Sequence, residues 1–131
     1  MTVKKWGILL LTLSLLTATA FPKDLKLTKK AGEYEVEVVI DKNPPILGEN
    51  KIEIEIKSAE GLSITDAKVL VNYYMPPMPR MAPMNYRTKA DLKDDKFKAK
   101  MKFIMSGPWI IAVKITRGGK TITAKFNVDA R

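Results

Sequence analysis

Between Lys96 and Met105 every second residue is apolar. Phe97, Ala99, Met101, Phe103 and Met105 alternate with Lys96, Lys98, Lys100 and Lys102. A helix would scatter these side chains around its axis, whereas a strand puts the apolar set on one face and the lysines on the other. The same period of two recurs along the chain. Tyr34, Val36, Val38 and Ile40 alternate with Glu33, Glu35 and Glu37, and Ile52, Ile54 and Ile56 alternate with Lys51, Glu53, Glu55 and Lys57. This patterning predicts half-buried strands and leaves no stretch of the domain for a helix.

Further strands are expected from Asp66 to Tyr74, with Ala67, Val69, Val71 and Tyr73 on one face, and from Trp109 to Arg117, with Trp109, Ile111, Val113 and Ile115 inward. The last runs from Lys120 to Asp129, with Ile122, Ala124, Phe126 and Val128 inward. Weaker patterns stand at Leu25 and Leu27 and from Arg87 to Leu92. Turn residues separate these runs: Asp41 to Gly48 with its two prolines, Lys93-Asp94-Asp95, Ser106-Gly107-Pro108, and the hairpin signal Gly118-Gly119. About seven short strands between turns predict an all-β fold, an immunoglobulin-like β-sandwich with a β-barrel as the alternative. The glutamate faces and the lysine face are expected to lie across from one another, which favours register more than stability.

The first twenty residues read as a signal peptide: Lys4 and Lys5, an apolar run from Trp6 to Leu16, and a small-x-small site at Ala18-Thr19-Ala20. The expected division is therefore 1–20 as leader and 21–131 as the domain, in the periplasm or secreted. The alternative is an anchor to the inner membrane by residues 6–21, although the apolar run is short of the roughly 20 residues of a spanning helix. As Lys4 and Lys5 leave, net charge falls from +9 to +7. The lysines are spread along strands rather than clustered with aromatics, so no nucleic-acid partner is expected. With neither cysteine nor histidine in 131 residues, the chain has no disulfide, no Ser-His or Cys-His nucleophile and no His/Cys zinc site. The expectation is that it is not an enzyme.

One tract stands apart. Met75-Pro76-Pro77-Met78-Pro79-Arg80-Met81-Ala82-Pro83-Met84 holds four of the seven methionines and four of the eight prolines. Its prolines cannot sit in a central strand, so it is a loop. Polyproline II has three residues per turn. In that conformation Met75, Met78, Met81 and Met84 would all point one way. Thioethers are soft, neutral ligands that suit Cu(I). Three readings stand for the loop methionines: metal ligands, an adaptable protein contact surface, or gap filling. Met101 and Met105 share a face with Phe97 and Phe103, which makes core packing their default. Met105 also sits at a strand end, where it or Trp109 would complete or cover a metal site if the Met-Pro loop lies at that end. Tyr73 and Trp109 read as core anchors, and Tyr74 and Tyr86 as the more exposed aromatics flanking the loop. Asp91, Asp94 and Asp95 lack the spacing of a calcium loop and read as turn residues.

Several of these elements occur in a familiar order. Gly32-x-Tyr34, Pro45-x-x-Gly48-x-Asn50, Ala67-x-Val69 leading to Met75-Pro76-x-Met78, and Phe103-x-Met105-x-Gly107-x-Trp109 together resemble the YtkA-like domain family, whose relatives include FixH-like proteins. The resemblance runs from about Gly32 to Val128. It implies a small exported or membrane-anchored β-sandwich without known catalysis, of a kind often associated with copper handling or with assembly of copper-containing oxidases. The Met-Pro-x-Met element falls on Met75, Pro76 and Met78, and the Met-x-Gly-x-Trp element on Met105, Gly107 and Trp109. Relatives often carry histidine near the second methionine, where this chain has Arg80 and Met81. That departure leaves a thioether site for Cu(I) and argues against a mixed His/Met site.

The leading expectation is thus a non-enzymatic exported domain that binds Cu(I), or a similar soft ion, through Met75, Met78, Met81 and Met84, with Met105 as a further candidate. An envelope partner such as a copper transporter or an oxidase assembly component goes with it. The rival expectation is a metal-free interaction module of a cell-envelope complex.

Overall fold

A computed structural model describes residues 23–131, so the expected leader and its cleavage site lie outside the described residues. Eight strands make up the domain: β1 Leu25–Ala31, β2 Tyr34–Ile40, β3 Gly48–Lys57, β4 Lys68–Tyr74, β5 Asn85–Lys93, β6 Lys96–Phe103, β7 Gly107–Arg117 and β8 Lys120–Ala130. All pair antiparallel, in the order β1-β2-β3-β6-β5-β4-β7-β8. The all-β sandwich expectation holds, with eight strands rather than about seven, because both weak patterns are full strands. β1 carries only Leu25, Leu27 and Ala31 toward the interior. β5 is outward-facing along most of its length.

The two layers, β1-β2-β3-β6 and β5-β4-β7-β8, are joined by a short ladder of Asp91, Leu92 and Lys93 with Lys98, Phe97 and Lys96. Beyond Lys98 the two strands part, β6 following β3 and β5 following β4. The parting frees the Lys102 N–H, which donates to the Tyr73 hydroxyl at 3.1 Å. At the opposite seam β1 lies beside β8, where Lys29 Nζ donates to the Lys125 carbonyl at 2.8 Å. The sandwich is therefore rolled almost into a barrel.

The apolar faces read from the sequence fill the interior. Val36, Val38, Ile40, Ile52 and Ile54 are completely enclosed, as are Met101, Trp109, Ile111, Val113 and Ile115. Each large aliphatic side chain so placed contributes about 1.5–3 kcal/mol. The opposed charges also meet: Glu53 bridges Lys98 at 3.7 Å and Glu49 bridges Lys100 at 3.8 Å across β3 and β6. Ser106-Gly107-Pro108 was expected to break the chain, but β7 already begins at Gly107 and pairs Pro108 with Asp129. The β4 ladder stops at Tyr74 opposite Ile110. Only one flank of Pro108 therefore needs partners, and proline is tolerated at such a strand start.

Asn50 is fully buried yet satisfied. Its side chain accepts from the Ile46 N–H at 2.9 Å and donates to the carbonyls of Ile46 at 2.8 Å and Gly48 at 3.2 Å. It thereby ties the 41–47 loop to the start of β3. The Arg131 N–H donates to the Pro45 carbonyl at 2.9 Å, which draws the described end of the chain to the same loop.

Candidate metal centre

The Met-Pro tract connects β4 to β5 and closes on itself. The Met75 N–H donates to the Met84 carbonyl at 3.2 Å, and the Met81 N–H to the Met78 carbonyl at 3.3 Å. Between the inner pair stand Pro79 and Arg80, the latter at φ 68°. Proline second and a positive φ third are the marks of a type II turn. The straight polyproline II run expected from composition is thus reversed at Pro79-Arg80. Met75 faces Met84 and Met78 faces Met81 along the two arms of the loop.

The reversal has a consequence for the sulfurs. Met75, Met78, Met81 and Met84 all line one cavity of about 260 Å³, together with Tyr74, Asn85 and the loop's Pro76, Pro77, Ala82 and Pro83. Met75 is the deepest and belongs to the core, while Met78 and Met84 pack against the core from half-buried positions. Met81 is also half-buried, at the turn that ends the loop. The one charged side chain in the tract is Arg80. Among the described residues no group of three or more carboxylates is placed to hold a metal ion.

Met105 lies at the same end of the sandwich, just before β7, but does not line this cavity. Its half-buried side chain packs against the core, and its carbonyl accepts from the Trp109 Nε1–H at 2.9 Å. Gly107 does touch the centre. A Cβ built there would stand 3.1 Å from the Met75 ε-methyl, and its φ is +126°. The Met-x-Gly-x-Trp element thus seats Met75 through its glycine.

Four aromatic rings lie beneath the loop. Phe103 and Trp109 have centroids 4.9 Å apart, Tyr73 and Tyr86 5.5 Å, and Tyr73 and Phe103 meet edge to face at 5.8 Å. Tyr86, expected to be exposed, is half-buried in this cluster because it sits opposite Tyr73 on the paired strand. Tyr74 is half-buried at the cavity wall. The root of the loop is held by buried Asn72, whose Nδ2 donates to Asn85 Oδ1 at 2.5 Å and to the Tyr86 carbonyl at 2.9 Å. Sequence reasoning missed this pair. The available signal is an asparagine interrupting the apolar run from Val69 to Tyr73.

On the neighbouring 41–47 loop, whose Asn43, Pro44 and Pro45 share a groove with Pro76, one carboxylate is locally bonded. Asp41 accepts from Lys42 Nζ at 3.0 Å and from the Lys51 N–H at 2.8 Å. Partial burial pushes the Asp41 carboxyl up, but the bonds from Lys42 and Lys51 outweigh it and hold the group below its usual range. The cavity is lined by four methionines and has no carboxylate among its walls; a thioether is a neutral donor that suits a soft cation and needs no deprotonation.

A family model described as YtkA-like matches residues 28–114, from within β1 through most of β7, with the Met-Pro loop inside the match. The chain belongs to the YtkA-like family. Its fold is similar to that of the crystal structure of the PmoD soluble domain from Methylocystis sp. (strain Rockwell), at a TM-score of 0.56 and 14% identity, over 79% of this chain and 96% of that one. At that identity the likeness bears on the fold alone. Among curated proteins no sequence match was found. The YtkA-like domain therefore presents its methionine loop on a scaffold that recurs at low sequence identity.

Proposed function

We propose that this YtkA-like domain is an exported, non-enzymatic binder of Cu(I), with Met75, Met78, Met81 and Met84 as its donor set. The observation that supports the reading is that these four methionines line one small cavity with no carboxylate among its walls. Cu(I) suits soft neutral donors, and the cavity walls include four thioether side chains. Thioethers hold it reversibly, which suits transfer to or from an envelope partner such as a copper transporter or an oxidase assembly component. Arg80 at the turn disfavours a divalent cation more than a monovalent one, since repulsion scales with charge. Met105, packed on the core, serves in this reading as support rather than as a ligand.

The test is a Cu(I) titration of the domain under reducing conditions against a competing chelator. The Met75/Met78/Met81/Met84→Leu variant is the control, because Met and Leu differ little in volume and the swap leaves the fold nearly unchanged. Binding at least about tenfold tighter in the native domain, or roughly 1.4 kcal/mol, is the expected result. Equal affinity of the two proteins would remove the proposal.

A further inference from the structure

The loop end of the sandwich carries more than the methionines. Of the exposed large apolar residues among those described, Ile46, Leu47 and Ile104 stand at this end, 38%, 48% and 52% exposed. Gly48 pairs with Phe103 as the last rung of the β3–β6 ladder. Leu47 and Ile104 are therefore the residues next to that rung on the two chains, at the end of the ladder. The other two, Leu62 on the β3–β4 connection and Leu92 near the end of β5, sit at the far end. Close by, an apolar groove of about 360 Å³ runs between the β1 and β8 seam and this end, lined among others by Leu25, Pro45, Pro76, Pro108 and Arg131.

Cations ring the patch. Arg80, Lys102 and Arg131 are exposed here and, among the described residues, stand in no ion pair. Of the four acids at this end, Asp41 is matched by Lys42 and Glu49 by Lys100, while Asp24 and Asp129 are in no ion pair, so three unpaired cations stand against two unpaired acids. The chain also enters the domain at this end, since Leu25 lines the same groove as Pro76 and Arg131.

We infer that this end docks on an anionic lipid bilayer. Ile46, Leu47 and Ile104 enter the interfacial region, while Arg80, Lys102 and Arg131 meet lipid phosphates. Apolar tips flanked by unpaired cations are what interfacial binding requires, burial supplying the short-range part and charge the long-range part. Neither feature suffices alone: the overall positive charge is spread over many strands, and three exposed apolar side chains are too few to hold a domain on neutral lipid. Docked in this way, the methionine cup faces the bilayer. The inference stands on the apolar and cationic residues and does not depend on whether the cup binds metal.

The experiment is co-sedimentation of residues 21–131, whose buried core runs from Ala31 to Ala130, with phosphatidylcholine vesicles and with vesicles containing about 30% phosphatidylglycerol. Binding to the anionic vesicles alone, weakening as salt shortens the screening length, is expected. Leu47→Gln with Ile104→Gln should reduce partitioning at least about fivefold. Arg80→Gln with Lys102→Gln should flatten its salt dependence, and Leu62→Gln with Leu92→Gln should change nothing. Thermal melts of each variant confirm folding. Absence of binding to anionic vesicles at low salt would overturn the inference, as would equal losses from the near-end and far-end pairs. Capture of an envelope protein through Leu47 and Ile104 without vesicle binding would replace the bilayer with a protein.

Discussion

Gly107→Ala tests how the start of β7 seats Met75 at the root of the methionine loop. Gly107 opens β7 at φ +126°, a conformation that residues with a Cβ rarely adopt. Holding alanine there costs about 1–3 kcal/mol, while the stiffer unfolded chain returns about 0.4–1 kcal/mol. The new Cβ would also stand 3.1 Å from the Met75 ε-methyl. That methyl ends a side chain with three rotatable bonds and gives way by a few tenths of an ångström, so contact contributes less than about 1 kcal/mol. The net expectation is a loss of about 1–2 kcal/mol. With unfolding entropy near 2.1 cal/mol/K per residue, a domain of roughly 110 residues then melts about 4–9 °C lower. The assay is thermal and urea unfolding of Gly107→Ala, Met75→Ala and the double variant. Backbone strain survives removal of Met75, so the two effects should add to within about 1 kcal/mol. An unchanged melting temperature in Gly107→Ala would refute the strain argument. Loss of the whole effect in the Met75→Ala background would show that contact, not backbone, requires the glycine.

Two further outcomes follow from the same geometry. Tyr73→Phe removes the acceptor for the Lys102 N–H where β6 leaves β5, and should cost about 1–2 kcal/mol in urea unfolding, whereas Tyr86→Phe, which removes a hydroxyl with no such role, should cost less. Asp41 is held below its ordinary 3.8 in the folded state, so its contribution is present above that value and is lost as pH falls through the lower folded-state value. Asp41→Asn should flatten the acid limb of the stability curve below about pH 4 and leave neutral-pH cooperativity intact. An acid limb identical to that of the native protein would contradict the role assigned to the Lys42 and Lys51 bonds.

Most strands were legible because each buries one face against a common interior and exposes the other. Lys96 to Phe103 and Lys51 to Lys57 announce themselves by that alternation, and their opposite charges even anticipate the β3–β6 pairing. β1 and β5 were faint for a physical reason: an edge strand and a strand at the join between layers bury few side chains, so little apolar signal is required of them. The hairpin at Gly118-Gly119 was plain because few residues besides glycine take positive φ easily. Arg80 takes the same kind of conformation with no such mark, and its turn was invisible.

The chain's composition by itself settled which chemistry is open to this protein. Without histidine or cysteine, and with four methionines in ten residues, the soft donors this chain can offer a metal are thioethers. That is a property of the side chains present and needs no coordinates. Which methionines line a common cavity was decided only in three dimensions. Met75, Met78, Met81 and Met84 border one cavity because the loop folds back at Pro79-Arg80 and closes at Met75-Met84. Met105, for which core packing was the default reading, lies at the same end but does not line that cavity. Spacing along a chain constrains direction only while the local conformation repeats, and a single turn residue ends that repetition.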